Sequence, residues 1–578
     1  MKDFKEFTWN LLEPDPGTVS RIASALNLAD EVAAVLVNRG IGTNEAGSFL
    51  EPGLNDLDRP DFLPEIFKAA KRIAGAVTRG EHVRVFGDYD ADGITASVLL
   101  TGFLENLGCE VSLGLPQREE EYGLNEASVR DAANLGASLL VTVDCGSTSF
   151  EAAREAGQSG IDLVITDHHQ TREELPEAVA VVNPRAPGNK NNKGRELAGV
   201  GVALYLVIAI RSILKKQGYF ISKKKRVPNL REYLDLVALG TVADVVPLTG
   251  LNRILVRIGL EEIRRTGRPG TRALAKAAHL RPGNDVTVWD VAFKLAPMLN
   301  AAGRMGDSMR GAKLLLAGDS ETADRIAAEL ARENDRRQAL QIEITGQAES
   351  MIRESGLSKD SVLILKNKGW PRGIIGLVAG KLAEKYGKPA VIFSEEDELC
   401  IGSARSALGI DLYDALEKTS KLTVKWGGHH DAAGLTIKTG SFEEFRMHMN
   451  RIIGRMTPSD ELHEQLNLEC VLPPGRITID LARQLRKLAP FGRGNPAPLF
   501  LIKDMRVKEA WVMGKTKSVL GMLLEGDGLG VVRAVGFDLA VKMPRVGDKV
   551  DLAGTPMVND YDGMDRVQLH LKDFRSTP

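Results

Sequence analysis

From about residue 81 to residue 182 the chain alternates short apolar runs with helix-favouring stretches. The runs are His82–Phe86, Val111–Leu115, Leu139–Val143, Leu163–Ile165 and Val179–Val182. Runs this short read as strands buried on both faces. Helices between most of them make a mainly parallel sheet, covered on both sides. In such sheets ligands gather outside the carboxyl ends of the strands, and Asp88, Asp144 and Asp167 each stand just after a run.

The rest of the 578 residues suggests three or four domains of ordinary composition, with 43% hydrophobic and 26% charged residues. Residues 1–80 read as short helices and turns, a packing arm with Leu26, Leu28, Val32, Val35 and Leu36 on one stripe. Thr322–Glu354, charged and free of Pro, predicts a long connecting helix, and Ser361–Ser394 predicts strand, helix, strand. From about residue 466, Gly, Pro and Asp-Gly turns between short alternating strands predict a small barrel of the OB type. The basic run Lys215–Arg226 reads as a solvated loop.

Cys109, Cys145, Cys400 and Cys470 are scattered, which argues against a disulfide framework or zinc ribbon and fits a reducing cytosol. Met1–Glu6 is too acidic for a secretory signal. Leu197–Ile210, the longest apolar run at 14 residues, is shorter than a membrane span of about 20. A net charge of −2 excludes a wholly basic nucleic-acid coat, while 75 Lys and Arg leave room for a local groove. At 5% aromatics, base-stacking platforms must be sparse and local.

Gly87-Asp88-Tyr89-Asp90-Ala91-Asp92-Gly93 carries three alternating carboxylates as the chain leaves a strand. Such groups can converge on a hard cation, Mg²⁺ or Mn²⁺. An EF-hand loop shares the Asp-x-Asp-x-Asp-Gly string but needs a bidentate Glu at its twelfth position. Here that position is Leu99, and a strand precedes the motif. Val143-Asp144-Cys145-Gly146 adds an acid at a strand end, where an isolated Asp is often only a helix N-cap. Asp167-His168-His169 ends another strand, and adjacent histidines point to different sides, so that one can bind metal while the other meets substrate; a His-His pair alone reads equally well as a surface turn. Ala238–Asp244 sets a further acid in an apolar stretch, where an unpaired charge is costly, so something positive should lie beside it.

Together these four segments resemble the DHH phosphoesterases, named for Asp-His-His, in order and in strand-end placement. The resemblance implies phosphodiester hydrolysis at a centre of two divalent ions, Mn²⁺ or Mg²⁺, which offset the charge of an anionic substrate. Carried over, it makes Asp90, Asp92, Asp144, His168 and Asp244 metal ligands, with Asp144 shared between the ions and Asp88 an added ligand. Asp90, Asp144 and His169 are then the catalytic residues, His169 facing the scissile phosphate, while Asp167 orients the histidines. Related pyrophosphatases have a His four residues before the Asp that matches Asp90; Phe86 stands there instead.

Further segments resemble the RecJ branch of the family: Arg39-Gly40-Ile41 with Ala46 and Phe49–Pro52, Ala198–Ala203, Ala238–Leu248, and Leu295–Arg304. In the last, Arg304 is implied to approach the substrate phosphate. Gly402–Ser406 and Gly427–Gly434 resemble the DHH-associated domain. Their glycines allow close approach, and Ser403, Arg405, His429 and His430 supply donors, the first two for gripping the 5′ end. Arg118 and Tyr122 read as a phosphate contact with base stacking. Leu488–Pro496 resembles the approach to the RecJ OB domain, where Trp511, Phe537 and Tyr561 are available for stacking, at least two of them reading rather as barrel core.

The expected architecture is therefore α/β. An N-terminal helical arm (1–80) leads into a parallel-sheet DHH catalytic domain (81–320). A connecting helix (321–358) joins it to a DHH-associated α/β domain (359–458), and a β-rich, OB-like nucleic-acid-binding domain (465–578) follows. The resemblance implies a cytoplasmic, membrane-free 5′-to-3′ exonuclease specific for single-stranded DNA. It would release 5′-mononucleotides in DNA repair and recombination, beside single-strand binding protein and a RecQ-type helicase. A DHH phosphodiesterase acting on short RNAs or cyclic dinucleotides is the alternative, disfavoured by the β-rich tail. A non-catalytic DNA-binding scaffold is a second, disfavoured because the acids and histidines are all present.

Overall fold

The computed structural model describes residues 7–116, 123–281, 283–305, 307–407, 409–456, 464–514, 517–559 and 564–577, and the chain divides into two units. The larger comprises Leu63–Asp244 and Glu262–Leu462; the smaller comprises Met1–Phe62, Val245–Glu261 and His463–Pro578, and begins with strand Phe7–Leu11 (β1). Among the described residues, no helix is long and apolar enough to cross a membrane.

In the larger unit Val83–Phe86 (β2), Val111–Gly114 (β3), Leu139–Thr142 (β4), Asp162–Thr166 (β5) and Ala180–Val182 (β6) form an all-parallel sheet, ordered β3-β2-β4-β5-β6. Every residue of β4 is buried, as a strand covered on both faces requires. The chain passes from β2 to β3 on one side and then crosses to β4 on the other. That reversal opens a crevice at the carboxyl ends of β2 and β4, and the sequence sets Asp88 after one and Asp144 after the other.

Helix Ala91–Leu107 packs against helices Gly199–Lys216 and Leu234–Ala243. The last buries Leu234, Leu236, Val237, Leu239 and Val242, and Asp235 and Thr241 with them, so it is buried all round. Asp244, which the sequence places only within an apolar stretch, therefore follows a helix. An apolar stretch without period reads alike in either form. Lys215 and Lys216 close the Gly199–Lys216 helix, and Lys225 Nζ donates to Leu107 O at 2.7 Å, so the basic run is tied down more than a free loop.

Ser320–Glu354 is one helix of 35 residues, its N-cap Asp319 accepting from Thr322 N–H at 2.8 Å. It leads to a second sheet of Leu363–Asn367 (β7), Ala390–Glu396 (β8), Leu399–Arg405 (β9), Lys425–Gly428 (β10) and Ala432–Lys438 (β11). Their order is β10-β11-β9-β8-β7, parallel only between β7 and β8. Phe393 at its core meets Phe442 and Phe445 edge-on.

In the smaller unit β1 pairs in parallel with Glu464–Leu468 (β12). Phe500–Met513 (β13), Val519–Gly526 (β14), Leu529–Gly536 (β15), Lys549–Asn559 (β16) and Arg566–Ser576 (β17) close into a barrel, which leaves no free edge. The barrel interior is continuous with the arm: Ile22, Val35 and Leu36 share one apolar cluster with Ile502, Leu520 and Leu552. The α/β class, the long helix and the terminal barrel agree with the sequence reading. Phe537 is 67% exposed rather than core, Trp511 lies against Gly521 with the Arg533 guanidinium 5.6 Å from its ring, and Tyr561 falls outside the described residues.

Arg253 is buried here, 3.8 Å above the Phe49 ring, and donates to Phe49 O (3.0 Å) and Leu488 O (2.8 Å). Truncation leaves both carbonyls without this donor, at about 1–3 kcal/mol each. Arg253→Ala should therefore lower unfolding stability by about 3 kcal/mol. Denaturant unfolding checks this, and an unchanged midpoint would mean that the guanidinium contributes nothing net.

Candidate metal centre

The acidic loop after β2 is shaped by the helix it starts. Asp90 is the N-cap of Ala91–Leu107, and its Oδ1 accepts from the amides of Asp92 (2.9 Å) and Gly93 (3.0 Å). Asp88 Oδ1 accepts from Tyr89 N–H at 2.8 Å. Asp92, in the first helical turn, turns its carboxylate to the start of another helix: Oδ2 accepts from Gly199 N–H (2.6 Å) and Oδ1 from Val200 N–H (3.0 Å). The N-cap of that helix is Ala198, which has no side-chain oxygen, so Asp92 caps it from a distance. Gly199 leaves room for the centre, since a Cβ there would lie 2.4 Å from Asp144 Oδ1. Asp144 itself holds φ at 62°, a left-handed conformation uncommon outside glycine that Asp and Asn tolerate best.

Asp167 organises the histidines. Its Oδ1 accepts from His168 N–H (2.7 Å), His169 N–H (3.1 Å) and His169 Nδ1 (2.8 Å), and its Oδ2 from Ser147 N–H (3.0 Å). Asn183, fully buried after β6, donates to His169 O (3.0 Å) and Ser147 Oγ (2.8 Å). The sequence reading missed Asn183, Ser147 and the Gly199 and Val200 amides. Only Asn183 carried a signal, a polar residue following a strand like the acids.

Asp144 Oδ1 and His168 Nε2 lie 3.1 Å apart, both buried and neither with a hydrogen-bond partner. Around them the side chains form three sets with ligand atoms within 4.8 Å of one another: Asp144, His168 and His169; Asp92, His168 and Asp244; and Asp88, Asp90 and Asp144. Seven of the eight residues singled out in the acidic and histidine motifs are thus brought together in these sets, and the eighth, Asp167, is bonded to His169 beside them. Burial, then neighbouring carboxylates, push Asp88 up to about 8, Asp92 to about 7 and Asp244 to about 8, and raise Asp144 well above the usual carboxylate range. Burial holds His168 down to about 3, so its ring is neutral and has one nitrogen free of a proton. Against the effect of its burial, the Asp167 bond lifts His169 to about 9. A pocket of facing acceptors that resists its own negative charge suits a divalent cation, and carboxylate and imidazole donors suit Mn²⁺ or Mg²⁺.

A carboxyl whose pKa is higher folded than unfolded holds a proton in the fold that the unfolded chain releases. Its stabilisation is therefore lost as pH rises through that interval. Asp88, Asp92, Asp144 and Asp244 act in this sense, as does His169 up to about 9. His168 opposes them only below the ordinary imidazole value of 6.5. Metal-free protein should lose thermal stability between about pH 6.5 and about pH 8.5, and stabilisation by Mn²⁺ should grow over the same interval as ions displace protons. Melting curves with EDTA and with Mn²⁺ check this; an Mn²⁺ increment flat in pH would rule out this cluster as the binding place.

The proposed substrate residues of the second sheet are linked to the acidic loop through two helices. Asn300, on helix Ala296–Met305, accepts from Ala91 N–H at 2.7 Å, and a Cβ on Gly303 would sit 2.9 Å from Tyr89 O. Next to it Arg304 Nη1 donates to Gly373 O at 3.1 Å, at the start of helix Arg372–Tyr386. A Cβ on Gly376 of that helix would sit 2.9 Å from Ser403 Oγ and 3.1 Å from Arg405 Nη2. Arg405 Nη1 in turn donates to Ser403 Oγ at 3.0 Å. His429 and His430 follow β10; His430 Nδ1 meets Asp431 Oδ1 at 2.8 Å, a bond that raises its pKa. Arg118 and Tyr122 lie outside the described residues.

Comparison with known proteins bears on the family and the fold. The family models of the DHH N-terminal domain, the DHHA1 domain and the RecJ OB domain match residues 82–241, 359–455 and 468–573. The single-stranded-DNA-specific exonuclease RecJ of Dickeya dadantii is 35% identical, over 90% of this chain and 92% of that protein. This chain belongs to the RecJ family. RecJ of Bacillus subtilis is 32% identical, over 98% of this chain and 70% of its own length. The crystal structure of RecJ in complex with Mn²⁺ from Thermus thermophilus matches with a TM-score of 0.81 at 29% identity, covering 99% of this chain and 80% of that one. The same RecJ is also known in complex with Mg²⁺. As a RecJ-family member the chain is a metal-dependent DHH hydrolase whose cofactors are divalent ions.

Proposed function

We propose that this protein is a single-stranded-DNA-specific exonuclease that works from the 5′ end and releases 5′-mononucleotides in DNA repair and recombination. The observation that carries this reading is the buried Asp144–His168 pair, without a hydrogen-bond donor, inside a cluster of acids. Asp90, Asp92, Asp144, His168 and Asp244, with Asp88 beside them, would hold two divalent ions. Ions held there neutralise the phosphodiester and lower the pKa of a water. The chain's own groups do the rest. Asp167 fixes the tautomer and orientation of His169, which turns toward the scissile phosphate. Arg304 adds positive charge from the helix stitched to the acidic loop, and Ser403, Arg405, His429 and His430 supply donors for the 5′ end.

In this reading residues 81–320 cut, 321–358 connect, 359–458 grip the 5′ end, and the barrel of 465–578 holds the trailing strand, where Trp511 beneath Arg533 offers a stacking face. The arm of 1–80 serves packing. The setting is the cytoplasm, beside single-strand binding protein and a RecQ-type helicase; these partners rest on the family resemblance. The test is a single-stranded oligonucleotide with Mn²⁺, labelled at the 5′ end in one reaction and the 3′ end in another. A 5′ label freed at once as mononucleotide, with a 3′ label descending a ladder, supports the reading. Hydrolysis of dinucleotides alone would transfer the centre to a different substrate. No cleavage at all would leave a DNA-binding scaffold.

A further inference from the structure

Residues 288–305 form one continuous helical run: Val288–Asp290, a π-helical turn Val291–Leu295, and Ala296–Met305. Pro297 explains the widened turn, because it has no N–H to donate and its ring crowds the carbonyl of Phe293. The run has two faces. Val291 and Leu295 are fully buried, whereas Trp289 and Phe293 are 58% and 65% exposed. Their rings lie 5.5 Å apart at an interplanar angle of 33°, and Lys294 Nζ lies 5.2 Å from the Trp289 ring. Among the described residues, the nearest equally exposed large apolar side chains along the chain are Val245 and Ile342, neither of them aromatic.

The other end of the same run carries Asn300, which accepts from Ala91 N–H after the acidic loop, and Arg304, which donates to Gly373 O at the start of helix Arg372–Tyr386. Trp289 precedes Arg304 by 15 residues, about 22 Å of helix. At a stacked spacing of about 3.4 Å, that is about six nucleotides of single strand.

We propose that Trp289 and Phe293 are a base-stacking platform for the single strand, about six nucleotides from the reacting phosphate. The inference rests on the proposed nuclease function. Two rings offer far less than the roughly 800 Å² per partner that a stable protein interface buries. They match the faces of one or two bases, while the lysine beside them is held by Asp290 Oδ1 at 2.7 Å. The helix joins the platform rigidly to Arg304, so bases held there set the register of the strand relative to the centre. The low aromatic content of the chain makes such a pair conspicuous.

The test is the double variant Trp289→Ala, Phe293→Ala, with Trp289→Phe as the conservative control. Both side chains are exposed, so an unchanged melting temperature is expected. Binding of oligo(dT) of about 20 nucleotides should weaken about tenfold, with turnover of an oligomer of about four nucleotides unchanged and near wild-type binding by the control. Undiminished binding of the long oligomer would overturn the platform. So would an equal loss at both lengths, since the pair would then act on the centre through the helix. A wild type that cuts neither oligomer would defeat the nuclease reading; the platform would still stand if the long oligomer bound to it and not to the double variant.

Discussion

Asp144→Asn should reduce DNA cleavage by at least about a thousandfold, about 4 kcal/mol of barrier, while leaving affinity for single-stranded DNA within about threefold. Asp144 belongs to two of the three ligand sets, and its Oδ1 faces His168 Nε2 with no donor between them. An amide is a far weaker ligand than a carboxylate for a hard cation. Asn is the right replacement because it accepts the left-handed backbone at φ 62° as readily as Asp. The same change should make the metal-free protein melt higher at alkaline pH, because one of several crowded, buried negative charges is gone. Lower activity with higher metal-free stability distinguishes loss of a ligand from misfolding. Cleavage within about tenfold of wild type would remove Asp144 from the centre.

Gly199→Ala should abolish activity nearly as completely, by at least about a hundredfold, although glycine and alanine differ by one methyl group. The new Cβ would fall 2.4 Å from Asp144 Oδ1 and 2.6 Å from its Cγ, and neither element can retreat. Asp144 is fixed at the end of a buried strand. Gly199 and Val200 amides are bonded to the Asp92 carboxylate, so moving the helix would displace a second ligand candidate. Gly201→Ala is the control two residues on, where the nearest atom is the Leu197 side chain at 3.1 Å. Steady-state cleavage with both variants, beside their circular dichroism, checks the claim; a Gly199→Ala enzyme as active as Gly201→Ala would show that the centre tolerates displacement.

The acids at the carboxyl ends of β2, β4 and β5 were legible because each follows a short apolar run, and run plus acid needs no knowledge of distant contacts. Asp244 was legible as a residue but not as a helix end, since Leu234–Ala243 is buried on every side and so has no amphipathic period. The structural duty of Asp92 could not be read. It depends on the Gly199 and Val200 amides more than a hundred residues away, and Ala198 gives no sign of needing a cap. Arg253 looks like any surface arginine until the Phe49 and Leu488 carbonyls surround it. The arm was seen as something that packs, but its stripe does not say against what.

That partner has a consequence for synthesis. Ile22, Val32, Val35 and Leu36 share a core with barrel residues from Phe500 to Phe574, so the larger unit interrupts the smaller in sequence, in two pieces on either side of Val245–Glu261. The arm leaves the ribosome before the barrel. At about 5–20 residues per second, the roughly 400 residues between Phe62 and His463 keep it waiting for about 20–80 s. Through that interval its apolar stripe has no barrel to cover it and depends on chaperones or on transient collapse. A version shortened to the two α/β sheets should be trimmed at both ends together, because an arm left without its barrel would carry an uncovered apolar face into every folding attempt.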